Sequence, residues 1–324
     1  MKTVWYERNG PAESVLQFGD KPVPIPNSGE VLVKLATSGV NPSDVKSRAG
    51  RPLAHDFIVP NSDGAGIIEA VGSGVNSDRI GNRVWIWNGQ WQRQWGTSAE
   101  YIAVPEVQAV NMPDNLDFTV AACFGIPGLT AAHAINMLEE SDAETVLVTG
   151  AASSVGHYVT QMAAQLGRRV VGTASTEKAD TVLAAGAAQN IDYKNENVAE
   201  KLNALTDGKG VGAVIDMDFS STSQLISTNA VANKASFFCY GSNDMGGLEV
   251  PFRDLLFKSI SLNFFLVYEL GPEQRAAAID RLSASLNAGQ LDTRISHILP
   301  LKEAAHAHQL VESGEARGNV VLEI

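Results

Sequence analysis

A run of small residues between an apolar stretch and a helical pattern is the part of this sequence best suited to chemistry. The run is Gly150-Ala-Ala-Ser-Ser-Val-Gly156, in which only Val155 carries a bulky side chain. The preceding β-branched residues 145–149 are typical of a buried parallel strand, and residues 153–167 have helical apolar spacing. A strand, a tight turn and a helix bring unpaired N–H groups together, where they can bind a pyrophosphate. The pattern predicts a phosphate site formed by Ser153, Ser154, Val155 and Gly156.

This turn departs from the dinucleotide fingerprint. Counted back from Gly156, the positions of a G-x-G-x-x-G motif fall on Ala151, Ser153 and Gly156, so only the third is glycine. From spacing alone, a purely structural crossover between two strands explains the pattern about as well as a cofactor site. Both readings remain open at this point.

Composition and charge exclude several classes of protein. The chain has 324 residues, 44% hydrophobic and 19% charged, as expected of a globular enzyme with two domains. Its net charge of −12 argues against nucleic acid as a partner. No apolar run is long enough to span a membrane, and the first residues resemble a strand rather than a signal peptide. Cys123 and Cys239 are too few for a disulfide framework, so we expect a cytoplasmic protein.

The order of the predicted elements divides the chain into three parts. Residues 1–122 contain short apolar runs separated by Gly, Pro and Asn, which predicts a β-rich domain. Strands and helices alternate over residues 123–264, including a predicted helix at 222–231, and this alternation is typical of a doubly wound parallel α/β sheet. Residues 265–324 leave that sheet and contain a long predicted helix at 273–288.

The turn and five further segments resemble one family. Residues 150–156 are similar to the A-A-x-G-G-V-G turn of the zinc-independent, zeta-crystallin-like quinone oxidoreductases, a branch of the medium-chain dehydrogenase/reductase superfamily. The five collinear segments that match the family's other motifs are 40–50 (N-P-x-D-x-x-x-R-x-G), 59–66 (P-G-x-D-x-x-G), 80–84 (G-D-R-V), 127–130 and 318–322 (G-K-x-V-L). The resemblance covers essentially the whole chain. It implies a Rossmann sheet at 123–264, inserted in a GroES-like catalytic domain formed by 1–122 and 265–324, and a homodimer.

Metal ligands are missing where the zinc dehydrogenases of the superfamily carry them. Asp44, Ser62 and Asp63 stand at the positions of a cysteine and a histidine–glutamate pair, and no four-cysteine lobe is present. The six histidines lack ligand spacing apart from His306-x-His308, in a predicted surface helix. We therefore expect no metal. Hydride addition to an electrophilic quinone or enone needs no Lewis acid, unlike alcohol oxidation.

The choice of cofactor depends on the end of the second strand. NAD enzymes place an acidic residue there to bind the ribose 2′-hydroxyl, whereas this chain has Ala174-Ser-Thr-Glu-Lys178. The resemblance implies that Ser175, Lys178 and Tyr193 hold a 2′-phosphate, which favours NADPH over NADH. Glu177 argues in the opposite direction, although an acidic residue also suits the first turn of a helix.

Residue-by-residue matching to the family assigns the nicotinamide end of the site. The residues that it implies there are Asn41, Asp44, Thr130, Gly241, Ser242, Phe265, Val267 and Asn319. Asn319 replaces a family lysine, and Asp216-Met-Asp-Phe219 replaces a D-x-V-G motif. The charge of Asp218 and the bulk of Phe219 are therefore expected to alter the cleft.

Two further side chains are hypotheses for catalysis. Lys46 stands where many relatives have a tyrosine and would be a general acid if burial lowered its pKa, although a surface lysine is the simpler interpretation. Trp91 belongs to a segment, 84–95, that holds four of the five tryptophans, and it would form an aromatic wall over a flat apolar substrate. Core packing is the alternative role, expected for Trp85.

The sequence therefore predicts an NADPH-dependent, zinc-free reductase that transfers hydride to a quinone. Reduction of the C=C bond of an α,β-unsaturated ketone or aldehyde is the alternative activity. A protein that binds NADPH without catalysis, as a sensor or a structural protein, is the alternative of another class.

Overall fold

The structure is a computed structural model that describes all 324 residues. The chain forms two compact units, one of Met1–Pro127 with Thr293–Ile324 and the other of Gly128–Asp292. No helix has the length and apolarity needed to cross a membrane.

The first unit is built on a seven-stranded sheet with the order β14-β15-β3-β4-β5-β7, in which β6 also pairs with β3. All of its pairs are antiparallel except β14 with β15. A separate two-stranded sheet holds β1 and β2. The strands are β1 (Lys2–Trp5), β2 (Gln17–Asp20), β3 (Glu30–Val40), β4 (Asp63–Val71), β5 (Arg83–Ile86), β6 (Tyr101–Pro105), β7 (Ala109–Asn111), β14 (Ile295–Pro300) and β15 (Asn319–Glu323).

Alternate residues of these strands form the core of the first unit. Val31, Val33, Ile68, Ile102 and Val104 are fully buried in it, as the period of two along a strand requires. The helices of this unit are α1 (Ala12–Val15), α2 (Pro42–Gly50), α3 (Phe118–Ala121) and α11 (Ala304–Ser313). A proline at the first position starts α2, where its missing N–H costs no hydrogen bond.

The second unit holds a six-stranded sheet with the order β10-β9-β8-β11-β12-β13, all parallel. This is the 3-2-1-4-5-6 order of the Rossmann fold, so the predicted fold class is confirmed. The strands are β8 (Thr145–Val148), β9 (Arg169–Thr173), β10 (Gln189–Ile191), β11 (Val211–Asp216), β12 (Val231–Cys239) and β13 (Ser261–Phe264). The helices are α4 (Leu129–Glu139), α5 (Ser154–Gln165), α6 (Ala179–Ala184), α7 (Val198–Leu205), α8 (Phe219–Thr222), α9 (Phe252–Lys258) and α10 (Pro272–Asn287).

One predicted helix of the second unit is wrong. Instead of a helix at 222–231, the chain forms the short α8 and a 3-10 segment at Ser223–Ser227, and β12 already begins at Val231. Val231 pairs in parallel register with Val211 and is buried in the core beside Ile226. Tertiary strand pairing therefore outweighs the local helical spacing.

The boundaries of the units differ from the predicted 122/123 and 264/265. The second unit extends to Asp292 because α10 packs on α4, where Arg281 bonds to Asn136 and Glu139. Its last segment is also attached to α5, since the Gln161 side chain exchanges two hydrogen bonds with the backbone of Asp292, at 2.7 and 3.0 Å.

Candidate functional site

The turn after β8 is shaped by two glycines, although two other glycines of the fingerprint are replaced by Ala151 and Ser153. Gly150 has φ +60°, and a Cβ there would lie 1.9 Å from the Sδ of Met217. A Cβ at Gly156 would lie 2.2 Å from the carbonyl oxygen of Gly150. These two glycines therefore fix the turn and the start of α5. The role of Gly150, outside the predicted set, was signalled by its position directly after the strand.

The serines of the turn help to start α5. Ser153 is the N-cap, and its Oγ accepts the N–H of Gly156 at 3.1 Å. The first turn of this 12-residue helix contains no acidic residue. Ser154 and Val155 are partly exposed and Gly156 is buried. Their N–H groups thus belong to a helix N-terminus whose dipole favours an anion.

The segment after β9 is tied to the end of β10 by an aspartate that the sequence analysis did not identify. The carboxylate of Asp192 accepts the N–H of Thr176 at 3.2 Å, the Thr176 hydroxyl, and the amide of Asn195 at 2.8 Å. These hydrogen bonds lower the pKa of Asp192 to about 2. Asp192 therefore fixes the loop on which Ser175 and Lys178, two of the predicted 2′-phosphate residues, lie.

The three predicted 2′-phosphate residues have different environments. Ser175 is buried, and its hydroxyl donates to Glu177 at 3.5 Å. Lys178 is half-buried at the end of a 3-10 turn, and its N–H donates to the carbonyl of Ser175 at 2.9 Å. Tyr193 is 54% exposed. Ser175 and Lys178 thus lie on one short loop, whereas Tyr193 is on the next one.

A cavity of about 670 Å³ lies within the second unit, at the carboxyl ends of its strands. Ligands of open parallel sheets bind at this edge. Tyr193 lines the cavity, and so does Gly150 from the phosphate turn. The wall of the cavity also includes Thr149, Thr173, Met217, Asp218 and Asn243. The cavity therefore connects the turn with one of the predicted 2′-phosphate residues.

Phe219 does not fill this cavity, which corrects the prediction that its bulk alters the cleft. Its ring is 5% exposed and packs edge-on against Phe237 and Phe264, with centroids 6.2 and 5.1 Å away. Asp218 does line the cavity and accepts hydrogen bonds from the Ser220 hydroxyl at 2.5 Å and from two Asn243 groups at 2.7 and 2.8 Å. Partial burial opposes ionisation of Asp218, but these donors lower its pKa below the usual value.

The predicted nicotinamide residues of the second unit lie on α4 and after β12 and β13. Thr130 and Val267 are buried, and Phe265 is partly buried against His133, with ring centroids 4.8 Å apart. Gly241 approaches the backbone closely, since a Cβ there would lie 2.6 Å from the carbonyl of Met217. The Ser242 hydroxyl donates to the carbonyl of Asp244 at 2.5 Å.

In the first unit, Asn41 and two carboxyl groups form a buried cluster. The backbone N–H of Asn41 donates to Asp44 at 2.8 Å, and its side-chain amide donates to Asp63 at 2.8 Å. Asp63 also accepts the N–H of Ile126 at 2.9 Å. The cluster therefore fixes both the backbone and the side chain of Asn41. Its link to Asp63 was not predicted, because the two residues are 22 positions apart.

Burial controls the charge of this cluster. Desolvation raises the pKa of Asp44 to about 7, against the opposing hydrogen bonds of Asn41. Desolvation also raises the pKa of Asp63 well above its usual value, and the charge of Asp44 adds to the rise. The second oxygen of Asp63 is buried without a hydrogen-bond partner. Burial therefore favours the neutral form of Asp63.

The remaining predicted residues of the first unit are separate from this cluster. Lys46 is exposed on α2. Trp91 is partly buried, and the guanidinium of Arg51 lies 4.5 Å from its ring centroid. Asn319 is buried at the start of β15 and donates from its side chain to the carbonyl of Arg294 at 3.0 Å. Trp85 is 1% exposed and packs edge-on against Phe124, so its core role is confirmed.

Comparison with known proteins decides the family. The model of the alcohol dehydrogenase GroES-like domain matches residues 27–114, and that of the zinc-binding dehydrogenases matches residues 154–284. A quinone oxidoreductase of Sus scrofa is 31% identical over 98% of this chain and 95% of its own length. The chain belongs to the quinone oxidoreductase family of the medium-chain dehydrogenase/reductase superfamily. It is an oxidoreductase.

Other relatives and solved structures widen this comparison. A Pseudomonas aeruginosa quinone oxidoreductase is 32% identical, covering 95% of both chains. A 2-haloacrylate reductase from Burkholderia is 27% identical, covering 99% of this chain and 98% of its own. A mycobacterial structure complexed with NADPH has a TM-score of 0.88 at 28% identity, with full coverage of both chains. An NAD-dependent alcohol dehydrogenase structure reaches 0.86, also at 28% identity and full coverage.

One of the two matching family models is named for zinc-binding dehydrogenases, so the positions of possible metal ligands in this chain need to be described. The structure contains no group of three or more His, Cys, Asp or Glu side chains arranged to hold a metal ion. Asp44 and Asp63 are instead engaged with Asn41.

Proposed function

We propose that this oxidoreductase binds NADPH and reduces a quinone without zinc. The observation that carries the proposal is the turn at Gly150–Gly156, which leads into an α5 N-terminus with no acidic residue in its first turn. A Cβ would clash at both Gly150 and Gly156, so these two positions present only backbone atoms. Backbone N–H groups of this kind are the groups that bind phosphate at a helix N-terminus. When bound, NADPH supplies the hydride. The mycobacterial relative complexed with NADPH supports this choice of cofactor.

The residues of this chain would bind and orient the two reactants. Ser153, Ser154, Val155 and Gly156 would hold the pyrophosphate, and Ser175, Lys178 and Tyr193 the 2′-phosphate. Thr130, Gly241, Ser242, Phe265, Val267, Asn41 and Asn319 are proposed for the nicotinamide end. Asp44 acts through its hydrogen bond to the N–H of Asn41. Positioning of this kind is what a hydride transfer asks of the protein.

Cofactor binding is tested by titrating NADPH and NADH while following tryptophan fluorescence. We expect NADPH to bind more tightly, and Lys178→Gln to weaken NADPH about tenfold with NADH unchanged, because only NADPH carries the 2′-phosphate. Lys209→Gln, at an exposed lysine of the same unit, is the matched control. Failure of the wild-type protein to bind either nucleotide would remove the proposed function.

Oxidation of NADPH by different acceptors separates the candidate reactions. Turnover with a quinone supports the proposal, and turnover only with an α,β-unsaturated carbonyl compound favours C=C reduction. The 2-haloacrylate reductase relative is the observation behind that second activity. Nucleotide binding without turnover of any acceptor would indicate a sensor or a structural protein.

Trp91 is proposed to contact the flat acceptor, and Lys46 is the hypothesis for the proton donor. Arg51 lies over the Trp91 ring at 4.5 Å, which holds the ring in place. Trp91→Ala should raise KM for the quinone without changing the Kd of NADPH. If Lys46 donates the proton, Lys46→Gln should lower kcat by about a hundredfold or more, whereas a kcat within about twofold of the wild type would mean that solvent protonates the quinol anion.

The proposed homodimer would form along the free edge of β13. Phe252, Leu256, Phe257 and Phe264, on α9 and β13, are each more than 60% exposed, which is unusual for large apolar side chains. An edge strand also leaves backbone groups available for a second copy. Light scattering should give a dimer for the wild type and a monomer for Phe257→Lys. Both free cysteines are buried, consistent with the proposed cytoplasmic location.

A further inference from the structure

His308, on α11, is a buried donor of the first unit. The sequence predicted a surface helix for His306 and His308, and the structure corrects this for His308, which is 0% exposed. Its Nε2 lies 3.1 Å from the side-chain oxygen of Asn61. Because an amide oxygen only accepts, Nε2 carries a proton and donates it. The other ring nitrogen, Nδ1, is buried without a hydrogen-bond partner, which fits a neutral ring.

Three further hydrogen bonds lead from Asn61 to the backbone of Asp63. The side-chain amide of Asn61 donates to Ser38 Oγ at 3.1 Å, and the hydroxyls of Ser38 and Thr97 are 2.8 Å apart. Thr97 donates its only hydroxyl proton to the carbonyl of Asp63 at 2.6 Å, so Ser38 is the donor to Thr97. All five residues are fully buried. This polar chain, formed by His308, Asn61, Ser38, Thr97 and Asp63, therefore donates in one direction, from α11 to the start of β4.

The last residue of the polar chain is also the one that holds Asn41. The carboxyl group of Asp63 accepts the side-chain amide of Asn41 at 2.8 Å, and its backbone pairs with Gly39, two residues before Asn41. We propose that His308 is a positioning residue, which fixes the side chain of Asn41 through the polar chain. This inference rests on the proposed function, in which Asn41 belongs to the nicotinamide end of the site.

Asn61 is the residue through which a change at His308 would spread. Its φ of +72° lies in the left-handed region, and its carbonyl accepts the N–H of Thr97 at 2.9 Å. Without His308, the side-chain oxygen of Asn61 would be buried with no donor, at a place that water does not reach. A shift that relieves this cost moves Thr97 and the start of β4 together, and therefore Asp63.

The first test observes Asn41 directly in the nucleotide-free protein. His308→Leu removes the donor, whereas His308→Gln keeps an N–H that reaches Asn61. In protein labelled with nitrogen-15 asparagine, we expect the side-chain amide resonance of Asn41 to shift in His308→Leu and to return towards the wild type in His308→Gln. His306→Leu, at an exposed position of the same helix, is the matched control and should leave the resonance unchanged. An unshifted Asn41 resonance in His308→Leu would overturn the inference.

The second test measures NADPH oxidation by benzoquinone, or by an α,β-unsaturated ketone if only that acceptor is reduced. We expect His308→Leu to lower kcat about tenfold and His308→Gln to stay within about twofold of the wild type. The Kd of NADPH should be unchanged, because the proposed phosphate residues belong to the second unit. In an Asn41→Ala background, His308→Leu should lower kcat no further.

A destabilised control separates positioning from a general loss of stability. Leu301→Ala opens the core beneath α11 without touching the polar chain, so it should lower the melting temperature and leave kcat unchanged. If His308→Leu likewise lowers only the melting temperature, or lowers kcat equally with and without Asn41, the inference fails and the proposed function stands. A wild type that binds no nucleotide removes the proposed function and the role of His308 with it, even if the Asn41 resonance shifts.

Discussion

Asp63 in the first unit and Asp218 in the second unit are both beside predicted site residues, yet their ionisation differs. Asp63 is fully buried, accepts two hydrogen bonds through one oxygen, and has a pKa well above the usual value because of desolvation. Asp218 is only partly buried, and donors from Ser220 and Asn243 hold its pKa below the usual value in spite of desolvation. Burial thus favours the neutral form of Asp63, whereas the hydrogen-bond donors favour the charged form of Asp218.

The difference shows what decides the charge of an aspartate near a site. Burial disfavours the carboxylate, and each donated hydrogen bond favours it. Asp63 has one oxygen without a partner, and Asp44 lies close enough to add repulsion. Asp218 has donors on both oxygens. The depth of burial together with the number of donors therefore sets the direction of the pKa shift at each of the two aspartates.

The largest effect is expected from Asp63→Leu. This change leaves the side-chain amide of Asn41 and the N–H of Ile126 buried without an acceptor. The free energy of unfolding should fall by about 3–5 kcal/mol, measured by urea denaturation. Asp63→Asn is the matched variant, because its amide oxygen accepts both bonds and the residue is neutral like the protonated acid. It should cost only about 1 kcal/mol.

These two variants also test the charge assigned to Asp63. If Asp63 were ionised in the folded protein, Asp63→Asn would remove a buried charge on which its donors depend. Its cost would then approach that of Asp63→Leu. A small cost for asparagine and a large one for leucine are expected only when Asp63 is neutral.

A smaller effect is expected in the pH dependence of stability. The pKa of Asp44 is about 7 in the folded protein and about 4 when unfolded. The folded state therefore binds more protons between these values, so Asp44 makes stability fall as the pH rises from about 4 to about 7. The slope is at most about 1.4 kcal/mol per pH unit for one group. Urea denaturation at several pH values should give this slope, and Asp44→Asn should flatten it.

Asp192, in the second unit, has the opposite effect on the pH dependence of stability. The pKa of Asp192 is about 2, below its unfolded value of about 4. Its contribution to stability is present above pH 4 and is lost as the pH falls towards 2. In the Asp44→Asn variant, the loss of stability at acid pH should therefore begin only near pH 4. Unfolding that already begins at pH 6 would contradict the assignment of this loss to Asp192.

The sequence predicted the phosphate turn and the parallel sheet because both depend on local patterns. Gly156 and the N-cap Ser153 act within a few residues of each other, so the local pattern predicts the turn and the start of α5. The resemblance to the family then gave the order of the domains. Conversely, the helix predicted at 222–231 failed because Val231 pairs with Val211, a distant strand.

The partners of the site residues were less predictable than the residues themselves. Asp63 accepts a hydrogen bond from Asn41, which is 22 positions away in the sequence. Phe219 was expected in the cleft, but its direction is set by Phe237 and Phe264, which a one-dimensional pattern does not contain. Side-chain direction and burial follow from tertiary packing, which is why these contacts needed the structure.

The smallest of these effects is expected from Asp218, whose contacts are partly exposed. Asp218→Ala removes the acceptor for the Asn243 N–H and side-chain amide, and it should lower the free energy of unfolding by about 1–2 kcal/mol. Water can replace a lost partner at this position, which is not possible at Asp63. Hydrogen exchange should therefore accelerate at the Asn243 amide before the sheet is affected. Asp218→Asn, which keeps one acceptor oxygen, should lie between alanine and the wild type. If Asp218→Ala destabilised the protein as much as Asp63→Leu, the contrast between a partly buried carboxyl group and a fully buried one would be lost.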